Sequence, residues 1–329
     1  MAAKSSVVFL GTGTSSGNPH LNCLLGLSEN QAAGGCDVCR KAARDGPPHD
    51  NVNYRNNPSI CIKYDGKFIL VDAGKTFRNS ALTWFPRRGI THLDAVILTH
   101  SHADAIFGLD DLRLVQPRDV PLDVFASVET FSFIEQSFPY LVKTKPSYHG
   151  PLVKDNSTQV DSHDGKEKSA TFVAVLNWNV MSTPSLDDSL DTFSAAGLAV
   201  LPLPVYHGPD YLSLGFVFGR TNNKFVYISD VSTIPDKIMN LLQSWDVRLL
   251  VIDTLHREKE YVSHMNLSQS LAVVEAVKPT QTYLVGVSHS FDHLPANEEL
   301  SQLEKTKGLK VQIAHDGLEL DLSVYDIVL

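Results

Sequence analysis

Residues 96–113, VILTHSHADAIFGLDDLR, change character within a few positions, as the apolar run Val96 to Leu98 gives way to His100, Ser101, His102, Ala103 and Asp104. Imidazoles and a carboxylate in alternation at the end of a strand are the material of a divalent-metal site, because a turn there aims alternate side chains the same way. In His100-x-His102-x-Asp104 the two imidazoles reach one ion and the carboxylate an adjacent one. Two neighbouring ions are then a natural arrangement for a displacement at phosphorus or carbon. Other apolar strands end alike: Asp72 closes FILVD, His207 follows LAVLPLPVY, Asp230 follows KFVYIS and His289 follows TYLVGVS. Strand ends held by a rigid sheet are where a preorganised site is built. Ala105 stands where a third histidine of the segment would be expected, so the second ion is left short of a ligand.

The elements that must carry these residues mix both types. SVVFLG, SICIKYD, KFILVDAG, LDAVILT, LDVFA, TFVAVLNWNV, LAVLPLPVY, LSLGFVFG, KFVYISD, VRLLVID and TYLVGVS read as strands. A helix is predicted from Lys75 to about Pro86, others over PDKIMNLLQSW, SLAVVEAVK and ANEELSQLEKT, and GLDDLRLV reads as a helix start. This is an α/β chain. No linker divides it, and the candidate residues run from Asp72 to His293, so residues 1–329 are expected to form a single domain. Residues 21–58 form an irregular loop holding three of the four cysteines, and polar stretches within 154–194 read as surface insertions.

The 329 residues, 43% of them hydrophobic, can bury a large core. A net charge of -9 without a dense Lys/Arg run argues against extended nucleic-acid binding, while a small anion is compatible if metal ions supply positive charge. No apolar stretch reaches the length of a signal peptide core or a membrane span, so a cytoplasmic protein with no membrane partner is expected. The Cys36-x-x-Cys39 pair, with Cys23, suggests metal ligation in a reducing compartment more than a disulfide.

Taken together, VDAG, THSHAD, PVYHG, YISD and VGVSHS resemble, in order and spacing, the five motifs of the metallo-β-lactamase superfamily. LGTGTSSGNP, CDVC and HADAIFGLDDLR are similar to the branch containing the cyclic ribose phosphate phosphodiesterase of the bacterial carbon-phosphorus lyase pathway. The resemblance implies a four-layer αββα sandwich, two mixed sheets face to face with helices outside, and a dinuclear site on one edge. It implies that His100, His102 and His207 hold the first metal, that Asp230 bridges, and that Asp104 and His289 hold the second, with Asp72 as an outer partner. At Ala105 the chain departs from that pattern. The second ion then keeps water or substrate in the vacancy, recruits a ligand such as His20 or His256, or is absent, and a weaker second site is the expectation. The resemblance also implies a structural zinc on Cys23, Cys36 and Cys39, for which His293 is favoured over Asp292 as fourth ligand.

The expected activity is that of a metal-dependent hydrolase, a phosphodiesterase acting on a small phosphate ester, cyclic esters included, through a metal-bound hydroxide, with Asp104 among the catalytic groups. Zinc or manganese would fit the two active-site positions. By the same resemblance His264, in SHMNLSQSL, enters the site near the leaving group, where a neutral histidine can protonate the departing oxygen. Arg113 in GLDDLR is expected to pair with a carboxylate rather than a phosphate, and Ser15 and Ser16 are weak candidates for phosphate donors. A non-catalytic metal-binding scaffold and a tRNA-processing nuclease of the same superfamily are the alternatives. The sequence leaves the oligomeric state open, a homodimer included.

Overall fold

The computed structural model describes residues 5–27, 36–116, 120–142, 147–149, 174–182 and 190–329. Among the described residues, fifteen strands lie in two sheets. The first contains β1 (Ser6–Gly11), β2 (Ser59–Tyr64), β3 (Lys67–Val71), β4 (Ala95–Ile97), β5 (Leu122–Ser127), β6 (Ser147–His149), β7 (Leu176–Met181) and β15 (Glu319–Asp321), in the order β15-β1-β2-β3-β4-β5-β7-β6. The second contains β8 (Phe193–Ala195), β9 (Leu198–Tyr206), β10 (Leu212–Phe218), β11 (Asn223–Ile228), β12 (Asp246–Asp253), β13 (Gln281–Val285) and β14 (Val311–Ile313), in the order β14-β13-β12-β11-β10-β9-β8. The pairings β3 to β4, β11 to β12 and β12 to β13 are parallel, so their carboxyl ends leave the sheets on one side.

Alternation of side chains along each strand divides the apolar residues between two faces. The inner faces meet in one core, with Phe9, Ile60, Ile62 and Val71 packed against Phe216, Tyr227, Leu249 and Val251. The outer face of the first sheet is covered by Phe77, Trp84 and Phe85 of α3 (Phe77–Arg88) and by Phe131 and Ile134 of α5 (Val128–Ser137). Ile238 and Leu242 of α6 (Asp236–Ser244), Val273 and Val274 of α7 (Leu267–Val277) and Ala296 and Leu300 of α8 (His293–Lys307) cover the second. Helix, sheet, sheet, helix is the expected layering, and both sheets contribute strand ends to one rim.

Three details differ from the sequence reading. The cysteine loop is partly helical, with α1 (Leu21–Leu24) and α2 (Asp37–Arg44) inside it. After the short helix α4 (Ala103–Ile106), Leu109–Leu114 forms a 3-10 turn, and Arg113 pairs with Asp110. Residues 154–173 and 183–189 of the expected insertions lie outside the described residues, while Leu176–Met181 and Phe193–Ala195 are strands β7 and β8. No described helix is long and apolar enough to cross a membrane.

A buried polar network fixes the cysteine loop to the sandwich. The Arg55 guanidinium, fully enclosed, donates through Nη1 to Thr12 Oγ1 and Ala314 O, both at 2.6 Å, and through Nη2 to His293 Nδ1 at 3.0 Å. Asp316 accepts from Thr12 Oγ1 and from the Asn56 backbone and side chain. Such a charge is tolerated inside because both terminal nitrogens find acceptors, Nε alone having no hydrogen-bond partner among the described residues.

Candidate metal centre

β3, β4 and β9 end where the two sheets meet, and they deliver Asp72, His100 with His102, and His207 to the same rim. Asp72 has φ near +63°, a left-handed conformation that side chains other than glycine seldom adopt, and it turns the carboxylate back over β4. Its Oδ1 accepts the Thr99 amide and its Oδ2 the Thr99 hydroxyl, both at 2.8 Å. With its own proton committed to Asp72, Thr99 Oγ1 accepts from His100 Nδ1, also at 2.8 Å. The relay sets the His100 tautomer and leaves Nε2 as a bare lone pair. That nitrogen is buried with no hydrogen-bond partner among the described residues.

His207 is oriented in the same way, because its Nδ1 donates to Ser263 O at 2.7 Å and only Nε2 remains. His207 Nε2 lies 3.1 Å from His102 Nδ1, and the His102 ring stacks on Tyr211 with centroids 4.9 Å apart. One nitrogen each from His100, His102 and His207 lie within 4.8 Å of one another. Burial pushes the pKa of all three down, His100 to about 3, so they are held as neutral imidazoles, the form that ligates a metal. An orphaned lone pair beside two more aimed at the same point is what a divalent ion requires. These residues fit one.

Asp230 follows β11 and forms a second close group with His207 and His264. His264 Nδ1 is 2.7 Å from Asp253 Oδ2 and 3.9 Å from Asp230 Oδ1. Burial works against a charged His264, but the Asp253 carboxylate and its hydrogen bond, then Asp230 and Asp104, outweigh it and raise the pKa to about 9. Asp253 was not anticipated from the sequence. It closes VRLLVID as Asp72 closes FILVD, so the strand-end signal that identified the others also covers it. Asp104 stands 4.0 Å from His100 Nε2, and burial followed by repulsion from Asp230 raises its pKa to about 6. Among the described residues Asp104 joins no group of three close donors.

The thiol site corrects two ligand expectations. Cys23, Cys36 and Cys39 converge not on His293 but on His289, whose Nδ1 is 3.3, 3.4 and 3.4 Å from the three sulfurs. Three thiols and an imidazole are a donor set suited to tetrahedral zinc. His289 is therefore committed on the thiol side and is not beside Asp104. His293 opens α8 and points to Arg55, which donates to it and makes it a neutral acceptor. Asp292 pairs with Lys41 and accepts from Asn53 Nδ2. Neither substitute ligand joins the histidine centre: His20 stacks on His289 at 4.2 Å, and His256 Nδ1 meets Ser288 Oγ. Ser15 meets Lys75 at 3.5 Å, and Ser16 bonds to Thr14 through its backbone.

Beside His207 opens a cleft of about 680 Å³, lined by Gly208, Asp210, Tyr211, Glu260, Tyr261 and Ser263 among others. Its lip carries the exposed acids Asp210 and Glu260 next to exposed Tyr261 and Val262.

Comparison with known proteins agrees with this architecture. Residues 67–287 match the family model described as a beta-lactamase superfamily domain. A solved structure described as a new diphosphatase from the PhnP family is 27% identical, with a TM-score of 0.68, covering 96% of this chain and 97% of that one. An octanoyltransferase of Porphyromonas gingivalis is 29% identical over 95% of this chain, which spans only 50% of that protein's length. A ribonuclease Z of Methanococcus maripaludis is 22% identical, covering 82% of this chain and 96% of that protein.

Proposed function

The chain belongs to the beta-lactamase superfamily, and from that premise we propose that it is a metal-dependent phosphodiesterase acting on a small phosphate ester, cyclic esters included. The observation that carries the reading is the convergence of three neutral imidazoles, His100 Nε2 among them with no other partner among the described residues. His100, His102 and His207 would hold a divalent ion, zinc or manganese, with Asp230 alongside. Such an ion supplies a Lewis acid that polarises a phosphoryl oxygen and lowers the pKa of water. A structural zinc on Cys23, Cys36, Cys39 and His289 would hold the early loop against the rim.

The chain's own residues complete the chemistry. Asp253 accepts from His264 Nδ1, which leaves Nε2 as the nitrogen free to face substrate. From there His264 delivers a proton to the leaving oxygen, the role in which a positioned histidine contributes about 10²–10⁴-fold. Asp72 acts only through Thr99, keeping His100 Nε2 unprotonated. Tyr211 fixes the His102 ring by stacking and bonds Ser101 through its hydroxyl.

The charge of the cleft lip and the net charge of -9 support a compact substrate. Acids at the lip repel an extended polyanion, while a compact phosphate ester presents little charge outside the centre. The likeness to a diphosphatase supports a small phosphorylated substrate. RNA is the second reading, favoured by the ribonuclease Z likeness, which spans nearly all of that protein. The deciding experiment is hydrolysis of bis(p-nitrophenyl) phosphate, a cyclic ribose phosphate and an RNA precursor by wild type and His100→Ala. Cleavage of the small esters that the variant loses supports the proposal. Cleavage of RNA alone selects the second reading, and cleavage of none sinks both.

A further inference from the structure

We infer that the histidine centre is a one-ion site, in which the second metal position of a dinuclear arrangement is closed rather than weakened. The inference rests on reading that centre as a metal site, and the donors around it carry it.

Two positions near the rim, one beside Asp104 and one after β13, offer no donor at all. Ala105, adjacent to Asp104, is fully buried and has only a methyl group. Gly286 follows β13 as Asp230 follows β11, and a Cβ built on it would lie 2.4 Å from Asp253 Oδ1. Space that a ligand side chain at 286 would need is thus filled by the carboxylate that holds His264. His289, the histidine beyond that strand, is turned to the thiols.

The donors that remain cannot serve two ions. The close groups His100, His102, His207 and His207, Asp230, His264 share His207. His207 Nδ1 is bound to Ser263 O, so both groups depend on one lone pair, on Nε2, and cannot each hold an ion through His207. Asp230, the carboxylate that two ions would have to share, faces His264 at 3.9 Å. His264 Nδ1 is itself committed to Asp253. Asp104 is then left to hold an ion without the company of two other close donors.

The alternative is a dinuclear centre whose second ion is completed by water or substrate. It differs in count and in magnetic behaviour, neither of which depends on turnover. The full-length protein, purified without chelator, would be analysed for metal beside Cys36→Ser, which removes the thiol contribution, and His207→Ala. Metal-depleted protein would then be titrated with Mn2+ and followed by electron paramagnetic resonance. The expected result is about two metal equivalents in wild type and about one in each variant. Mn2+ should saturate the histidine centre at one equivalent, with the hyperfine splitting of an isolated ion. Three equivalents in wild type, or the halved splitting of an exchange-coupled manganese pair, overturns the one-ion centre and leaves the proposed hydrolase standing. Metal confined to the thiols, with no Mn2+ taken up, overturns both.

Discussion

His264 Nδ1 lies 2.7 Å from Asp253 Oδ2, so an imidazole at the mouth of the centre is anchored to a carboxylate enclosed at the end of β12. The proton-donor role at Nε2 has a kinetic signature, because an alkyl leaving group needs a proton and p-nitrophenolate hardly does. His264→Ala should lower kcat for an alkyl phosphodiester by about 10²–10⁴-fold and far less for bis(p-nitrophenyl) phosphate, with metal content unchanged. Equal losses on the two esters would mean that His264 does something other than protonate the leaving oxygen.

Asp72 touches no member of the histidine triad, yet it decides which nitrogen of His100 is bare. Asp72→Asn keeps the shape but lets the amide donate to Thr99, which frees the hydroxyl proton to turn toward Nδ1. Metal affinity of the histidine centre should fall about 10–100-fold, as when other outer partners of ligating histidines are removed. Competition with a fluorescent zinc chelator measures it. Unchanged affinity would reduce Asp72 to a shaping role in the turn.

Cys36→Ser removes one of the three thiols that tie the early loop to His289. Zinc content should drop by about one equivalent, and limited proteolysis should cut first within residues 21–58, because metal binding at such a site is also folding energy. If the loop resists protease as in wild type, the Arg55 and Asp316 network suffices to hold it.

His293 supplies a pH dependence with a definite sign. Burial, then the Arg55 charge, lowers its pKa to about 3, below the ordinary 6.5, so the folded state takes up this proton later than the unfolded chain. Its contribution to stability is present above 6.5 and is lost as pH falls from 6.5 toward 3, at no more than about 1.4 kcal/mol per pH unit. Asp316, raised to about 6 mainly by burial, acts with the opposite sign: its contribution is complete below its ordinary value and is lost as pH rises through 6. The net slope is therefore less telling than the difference between wild type and His293→Gln, which keeps an acceptor for Arg55. Urea midpoints measured from pH 7 to pH 4.5 should fall more steeply in wild type, and parallel curves would rule His293 out as the titrating group.

The rim residues were legible in the sequence because they rest on a local regularity, apolar runs of strand length that end in His or Asp, whereas the layering was legible only as what the resemblance of the five motifs implies. What escaped was the choice between His289 and His293. Both follow the same strand within a few residues, and the choice turned on where α8 starts and on Arg55, a distant buried charge that claims His293. Spacing along the chain does not encode such a long-range contact. Asp253 escaped for another reason, since at the end of VRLLVID it differs from no other acid at a strand end until His264 arrives opposite it. Ala105 was visible as a departure, but its partner Gly286 was not, because a glycine after a strand reads as an ordinary turn.

The cluster of three thiols and His289 also sets a timetable for synthesis. Cys39 and His289 are 250 residues apart, so at about 5–20 residues per second the thiols leave the ribosome roughly 10–50 s before the imidazole that closes them. During that interval the nascent chain displays an incomplete thiolate cluster, open to oxidation and to soft ions such as copper(I). Fidelity of metal loading in this protein is therefore a question of what the growing chain meets before its last strands are made.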